Sequence, residues 1–276
     1  MTRILPQVYD LTGRTALVTG AGGLLGVQHA IALVETGARV VLADIDFKKA
    51  EAAAAMAKRE VTGADAVAVL LDVTSPEAVR MLAEKLGRVD ILVNNAAIDA
   101  KVTARPGVAN GSRLEIFTLD QWNSEMAVGL AGAMVMAQVF GTQMAANSTG
   151  VILNIASDLS VFAPDQRLYR LDQSVSELEQ PVKPVTYSAI KHGLIGLTKY
   201  LATYWADRGV RCNALSPGGV FNGQSEAFVA KLNALIPLSR MARVDEYRAA
   251  VQFLCSDASS YMTGQNIVMD GGRSVL

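Results

Sequence analysis

The chain has 276 residues, 51% of them apolar and 18% charged, and a formal net charge of −1. That length supports a sizeable core, and that composition excludes a disordered chain and the basic footprint of a nucleic-acid binder. Two cysteines, Cys212 and Cys255, exclude a disulfide framework and carry no metal-ligand spacing.

Met1–Asp10 has a proline and no apolar core of a signal peptide, so a cytoplasmic protein is expected. Short apolar, β-branched runs then alternate with longer helical patterns. The first strand is predicted at Thr15–Thr19, followed by a helix over Leu24–Thr36. Strand Arg39–Ala43 leads to helix Phe47–Glu60, and strand Ala66–Leu70 to helix Pro76–Leu86. Strand Ile91–Val93 precedes a long helix, Leu119–Ala146, and strand Val151–Ile155. A second long helix, about Thr186–Asp207, leads to strand Val210–Ala214. A helix near Asp245–Ser256 and a strand near Asn266–Met269 complete the series. The apolar stretch Met126–Ala137 is too short to span a bilayer, so a buried helix and no membrane contact are expected.

Strands alternating with helices imply right-handed crossovers and a parallel sheet, and strands apolar throughout imply burial on both faces. The fold class expected is α/β, a doubly wound Rossmann-type sheet of about seven strands with helices on both faces. No linker or repeat divides the chain, so residues 1–276 are expected to form a single domain. Three stretches break the rhythm after strands: Asp99–Thr118, Asp158–Pro184 and Gly218–Val244. Loops after the carboxyl ends of parallel strands build the ligand crevice.

Thr19-Gly20-Ala21-Gly22-Gly23-Leu24-Leu25-Gly26 joins the first strand to the first helix, with glycines 20, 23 and 26 spaced by three. Such a turn lets backbone and helix N–H groups approach a pyrophosphate. Asp44 ends the second strand, 18 residues after Gly26. A carboxylate there accepts from both ribose hydroxyls of NAD and repels the 2′-phosphate of NADP, so NAD is the expected cofactor. Asp46 is a less well placed competitor.

Tyr187 and Lys191 stand at i and i+4, on one helix face. A free phenol, with pKa about 10, is scarcely ionised at neutral pH; a neighbouring ammonium favours the phenolate and brings it towards use as a general base.

On these residues the chain resembles the short-chain dehydrogenase/reductases. Tyr187-x-x-x-Lys191 matches that family's active-site motif, and Asn154-Ile155-Ala156-Ser157 its serine segment. Asn94-Asn95-Ala96-Ala97 matches its turn after the fourth strand, Asp72-Val73 its adenine-side pair, and Ser216-Pro217-Gly218-Gly219-Val220 its nicotinamide-side loop. The resemblance implies that Ser157 hydrogen-bonds the substrate oxygen, Tyr187 exchanges the proton and Lys191 holds the nicotinamide ribose. It implies cofactor contacts at Gly20, Gly23, Leu25, Gly26, Asp44, Ile45, Asp72, Val73, Asn95, Ala96, Tyr187, Lys191, Pro217, Gly218 and Val220. In three places the chain departs from the family pattern. Leu24 replaces a usual glycine, Ala97 replaces another, and Gly129 stands where the family has a fourth catalytic residue, an asparagine that supports a water relay to the lysine.

Ser157 and Tyr187 are 30 positions apart, about twice the usual separation in that family. A long polar loop beside an active site suggests a polar, hydroxyl-rich substrate, with Arg167 or Arg170 as candidates to hold an anionic group. The insert, Lys191-His192-Gly193-Leu194-Ile195-Gly196 and the Met262-Thr263-Gly264-Gln265-Asn266 ending resemble a bacterial subgroup associated with flagellin modification and surface-sugar biosynthesis. Neither His29 nor His192 has a metal-spaced partner, and no metal is expected.

Two long helices, apolar over more than one face, imply burial against both the sheet and something else. In the resembled family these helices pair across a two-fold axis, which implies a homo-oligomer, a dimer or tetramer. The function expected is an NAD-dependent oxidoreductase that interconverts an alcohol and a ketone on a sugar-like small molecule. Two alternatives stay open: an epimerase or dehydratase that retains NAD, and a weakly catalytic, NAD-binding structural or regulatory protein.

Overall fold

The computed structural model describes residues 6–98, 109–171 and 174–276. Part of the first expected cleft loop, residues 99–108, therefore lies outside the described residues. Seven strands form one parallel sheet: β1 Thr15–Thr19, β2 Arg39–Asp44, β3 Ala66–Leu70, β4 Ile91–Asn94, β5 Gly150–Ile155, β6 Val210–Pro217 and β7 Asn266–Met269. Their order is β3-β2-β1-β4-β5-β6-β7. Thr15 pairs with Arg39 and Ala16 with Ile91, so chain direction reverses its progress across the sheet between β1 and β4. That reversal point opens a crevice at the carboxyl edge.

The helices are α1 Gly26–Val34, α2 Phe47–Glu60, α3 Pro76–Leu86, α4 Leu119–Ala146, α5 Val185–Tyr204, α6 Glu226–Asn233 and α7 Arg248–Cys255. Alternate residues of each strand feed two separate cores. Ala16, Val18, Val40, Leu42, Val93 and Leu153 pack beneath α1, α2 and α7. Leu17, Val41, Leu92, Ile152 and Cys212 pack beneath α3, α4 and α5. The period-2 alternation of Cβ directions divides an all-apolar strand between two faces, which is the doubly wound architecture expected.

Local chemistry starts the helices. The Asp46 side chain accepts from Lys49 N–H to cap α2, and Ser75 accepts from Ala78 N–H to cap α3, with Pro76 as first residue. Taken whole, α4 has 28 residues and is long and apolar enough to cross a bilayer, a length that a view confined to Met126–Ala137 misses. In the fold it is a core helix: Met136 and Phe140 are fully buried against the sheet. It also contains two π-helical turns, Ala127–Ala131 and Ala137–Gly141. Cys212 and Cys255 are free and buried, and burial pushes the Cys255 thiol up to about 12.

Candidate active site

The glycine turn closes onto the start of α1. Gly20 has φ +59°, and a Cβ there would lie 2.8 Å from the Ala96 backbone. At Gly26 a Cβ would lie 2.3 Å from the Gly20 carbonyl oxygen, so only glycine fits. The Asn95 amide donates to the carbonyls of Thr19 and Gly20 at 3.1 and 3.0 Å, and Thr19 Oγ1 accepts from the N–H groups of Asn95 and Ala96 at 3.0 and 3.1 Å. Asn95 thus shapes the turn as well as lining the cleft.

Asp44 is set at the end of β2 by two backbone donors: Gly22 N–H on Oδ2 and Asp46 N–H on Oδ1, both at 2.9 Å. Asp46 caps α2 instead of competing for this place. Beside Asp44, the apolar Ile45 is 69% exposed, a surface that suits a planar base. Asp72 accepts from Thr74 at 2.8 Å, in a turn after β3. Val73 is buried and packs against Gly132 of α4, so its side chain faces the core and leaves only its backbone towards the crevice.

Buried amides hold the catalytic elements in register. Asn94 donates to Asn154 at 2.9 Å, and Asn154 donates to Thr198 at 2.8 Å, linking β4, β5 and α5. A second tie joins α4 to the start of α5, where Thr186 Oγ1 donates to the buried Glu125 carboxylate. Lys191 is 7% exposed, and its ammonium donates to the Ile155 carbonyl at 2.9 Å. Two residues on, Ser157 Oγ donates to Asp158 at 2.9 Å. The end of β5 therefore positions both the lysine and the serine.

Ser157, Tyr187 and Lys191 line one cleft of about 340 Å³, together with Leu25, Asn95, Pro217, Gly218 and Val220. The Lys191 nitrogen lies 5.7 Å from the Tyr187 ring centre, and a second ammonium, Lys183, sits 3.8 Å above the ring. A larger depression of about 970 Å³ lies at the amino edge of the sheet. Its Arg14 and Arg88 are paired with Asp257 and Asp90, and its Arg211 donates to Leu254 and Ser256 carbonyls. The residues that the sequence motifs single out line the smaller cleft.

The long insert reaches the site in a different way from that expected. Arg167 is 80% exposed at its side chain and paired with Asp165 at 2.7 Å, which holds the Asp165 carboxyl down at about 2. Arg170 is also exposed, and neither arginine lines the cleft. The insert instead contributes Asp158, Leu159, Leu168, Tyr169 and Lys183. Leu168 packs on Leu232, Ile236 and Met241, Tyr169 meets Phe228 at 5.7 Å between ring centres, and Gln166 brackets the Lys183 backbone through two hydrogen bonds. Asp158, Lys183 and Arg273 are cleft residues that sequence reasoning passed over. Arg273 follows β7, and the rule that loops after strand carboxyl ends line the crevice would have pointed to it.

A fit to a dinucleotide rests on three features here: the glycine turn closed on α1, the fixed Asp44 carboxylate and the exposed Ile45 beside it. Comparison with known proteins agrees. A family model described as enoyl-(acyl carrier protein) reductase matches residues 20–274. D-threitol dehydrogenase of Mycolicibacterium smegmatis is 34% identical, over 97% of this chain and 95% of its own. Galactitol 2-dehydrogenase (L-tagatose-forming) of Cereibacter sphaeroides is 33% identical, over 97% and 98%. The crystal structure of a gluconate 5-dehydrogenase from Burkholderia cenocepacia, in complex with NADP and tartrate, superposes with a TM-score of 0.79 at 32% identity, covering 98% of each chain. Matched from the glycine turn to the residues after β7, the chain belongs to the short-chain dehydrogenase/reductase family and is an oxidoreductase that uses a pyridine nucleotide.

Proposed function

We propose that the protein is an NAD-dependent dehydrogenase that interconverts a secondary alcohol and a ketone on a polyol- or sugar-like substrate, with Ser157, Tyr187 and Lys191 as its catalytic residues. The observation that carries this reading is the convergence of those three side chains on one cleft whose wall also bears Asn222, Gln224 and Tyr169. Hydroxyl-rich substrates need such closely set hydrogen-bonding groups. The relatives named above, which act on threitol, galactitol and gluconate, support the same class.

The bound nicotinamide supplies the hydride acceptor or donor. The chain's own residues handle the oxygen and its proton. Ser157 hydrogen-bonds the substrate oxygen, and Tyr187 takes the hydroxyl proton as its phenolate in oxidation and returns it as its phenol in reduction. Lys191 and Lys183 set two ammonium groups beside the phenol, where negative charge develops. Lys191 is anchored directly on the Ile155 carbonyl, although Gly129 supplies no side chain for a relay.

The preference for NAD rests on Asp44, since the Burkholderia structure holds NADP. A 2′-phosphate would meet a carboxylate already held in place by two N–H groups. The narrower assignment to flagellin or surface-sugar modification rests on the insert 158–184. Turnover followed by NADH absorbance, with polyols, sugar acids and simple secondary alcohols and with both nucleotides, tests the whole reading. A polyol or sugar acid is expected to be oxidised with NAD at least ~10-fold better than with NADP, and Tyr187→Phe is expected to lose about 10²–10⁴-fold in kcat. Equal activity of wild type and Tyr187→Phe would sink the catalytic assignment.

We also propose a homo-oligomer. Tyr200 and Tyr204 stack at 5.5 Å on the exposed face of α5, and Met134 is exposed on α4. Exposed aromatic pairs of this kind mark interaction surfaces. Light scattering is expected to give at least twice the mass of one chain, and a monomer at micromolar concentration would refute it.

A further inference from the structure

The carboxylate next to the cleft serine is held by the last turn of the chain. Asp158 Oδ1 accepts from Ser157 Oγ and from Leu159 N–H, both at 2.9 Å. Asp158 Oδ2 accepts from Arg273 at 3.1 Å. The two charged side chains are only 6% and 10% exposed. Arg273 reaches this place through a reversal after β7, where Gly271 and Gly272 take φ of +69° and +91° and Asp270 accepts from the N–H groups of Gly272 and Ser274. Its guanidinium then lies 4.8 Å from the Phe162 ring centre, and Arg273 borders the cleft.

A buried ion pair is weak as a source of stability, because desolvation of both charges offsets their attraction. This pair has a directional effect instead. A carboxylate can only accept, so the single hydrogen of Ser157 points at Asp158, while the Ser157 oxygen itself accepts from Leu159 N–H at 3.2 Å. We propose that Asp158 and Arg273 are positioning residues for Ser157: Arg273 fixes the carboxylate, and the carboxylate sets the hydrogen direction of the serine that meets the substrate oxygen. This inference rests on the role given to Ser157 under the proposed function. A secondary alcohol gives its hydroxyl hydrogen to Tyr187, so its oxygen takes the Ser157 hydrogen, which turns away from Asp158. A ketone only accepts, so the serine hydrogen must turn from Asp158 to the ketone oxygen. The hydrogen stays on Ser157 throughout; only its acceptor changes.

The test uses the full chain with one alcohol–ketone pair, in both directions. Arg273→Ala is expected to lower kcat/KM about 10-fold or more in both directions alike, because the equilibrium constant ties the two. Arg273→Lys is expected to recover part of the loss. Asp158→Asn keeps the shape with a weaker acceptor and is expected to lower kcat/KM in both directions, by less than Arg273→Ala. The double variant should lose no more than the worse single one, as residues acting as a unit do. NADH affinity should stay within about twofold of wild type in every variant. The amide exchange of Leu159 gives a readout independent of turnover: it is expected to rise about 10-fold in Arg273→Ala while β5 is unchanged. Unchanged exchange at Leu159, unchanged kinetics in Arg273→Ala, or a loss matched by lost NADH binding would each overturn the proposal. A wild type inert towards every secondary alcohol would instead overturn the functional reading, and the exchange result would then decide the pair by itself.

Discussion

His29 sits in α1 with 0% exposure, and among the described residues neither ring nitrogen has a hydrogen-bond partner. Burial alone pulls its pKa down to about 3 from the usual 6.5. The folded state therefore keeps His29 neutral while the unfolded chain binds a proton below about pH 6.5. By linkage, stability falls as pH drops through that window, at up to about 1.4 kcal/mol per pH unit, until the folded pKa is reached. Between pH 6.5 and pH 4 the loss from this one residue is about 3 kcal/mol. His29→Leu removes both orphan nitrogens and the titration. It is expected to raise stability at pH 7 by about 1–3 kcal/mol and to flatten the acid limb, as followed by urea unfolding at pH 7 and pH 4.5. An acid limb as steep as that of wild type would assign the sensitivity to other groups. Asp158 acts in the opposite sense to His29: burial, opposed by Arg273, raises its carboxyl above the usual carboxylate value, so its contribution to stability grows as pH falls.

At the scale of elements, several close approaches gather on α4. A Cβ on Gly129 would lie 2.8 Å from Ile190 Cγ2, one on Gly132 2.8 Å from Val73 Cγ2, and one on Gly141 2.4 Å from the Trp205 ring. The missing asparagine at 129 is thus matched by packing: Ile190, one position before Lys191, occupies the space. Gly129→Asn is expected to destabilise the fold by about 1–3 kcal/mol without raising kcat, with Ile190→Ala restoring part of the stability, as measured by thermal unfolding and turnover. A stable, faster Gly129→Asn would mean that the relay, not the packing, limits the enzyme. The same helix shows where sequence ceased to be legible. Bounds for β1, β3, β7, α2 and α3 could be read outright, because apolar runs, Asp46, Ser75 and Pro76 mark them locally. The π turns leave no such mark, and Gly129 and Gly141 within them face Ile190 and Trp205, residues distant in sequence. The start of α1 falls at Gly26, two residues after the expected Leu24, because the turn must first close on Gly20. Helix α6 was hidden inside a stretch read as loop, its apolar residues facing Leu168 of an insert distant in sequence. Ser157, Tyr187, Lys191 and Asp44 were legible from spacing and family pattern, whereas Lys183 and Arg273 required knowledge of what the loops fold against.

Across the whole molecule, the site draws on residues from Gly20 to Arg273, so the chain must be threaded almost to its end before the cleft is complete. The two halves of the site nevertheless depend on different parts. On the proposed reading the adenine side rests on β1 to β4 and their turns, all in the first hundred residues, while the nicotinamide side also draws on Lys191 and the loop after β6. The substrate side adds the insert, α6 and the tail after β7. Deleting residues 273–276 removes Arg273 but leaves β7 and its pairing with β6 intact. The shortened chain is expected to bind NADH and gain thermal stability from it, about 2.7 kcal/mol at one hundred times Kd. Turnover should nevertheless fall about 10-fold or more, because the carboxylate beside Ser157 has lost its partner. Deleting only Val275 and Leu276, which are 82% and 89% exposed, should leave turnover near that of wild type. If both deletions lost NADH binding together with turnover, the tail would be a clasp on the whole domain. If neither changed turnover, the substrate side would be complete without the chain's final turn.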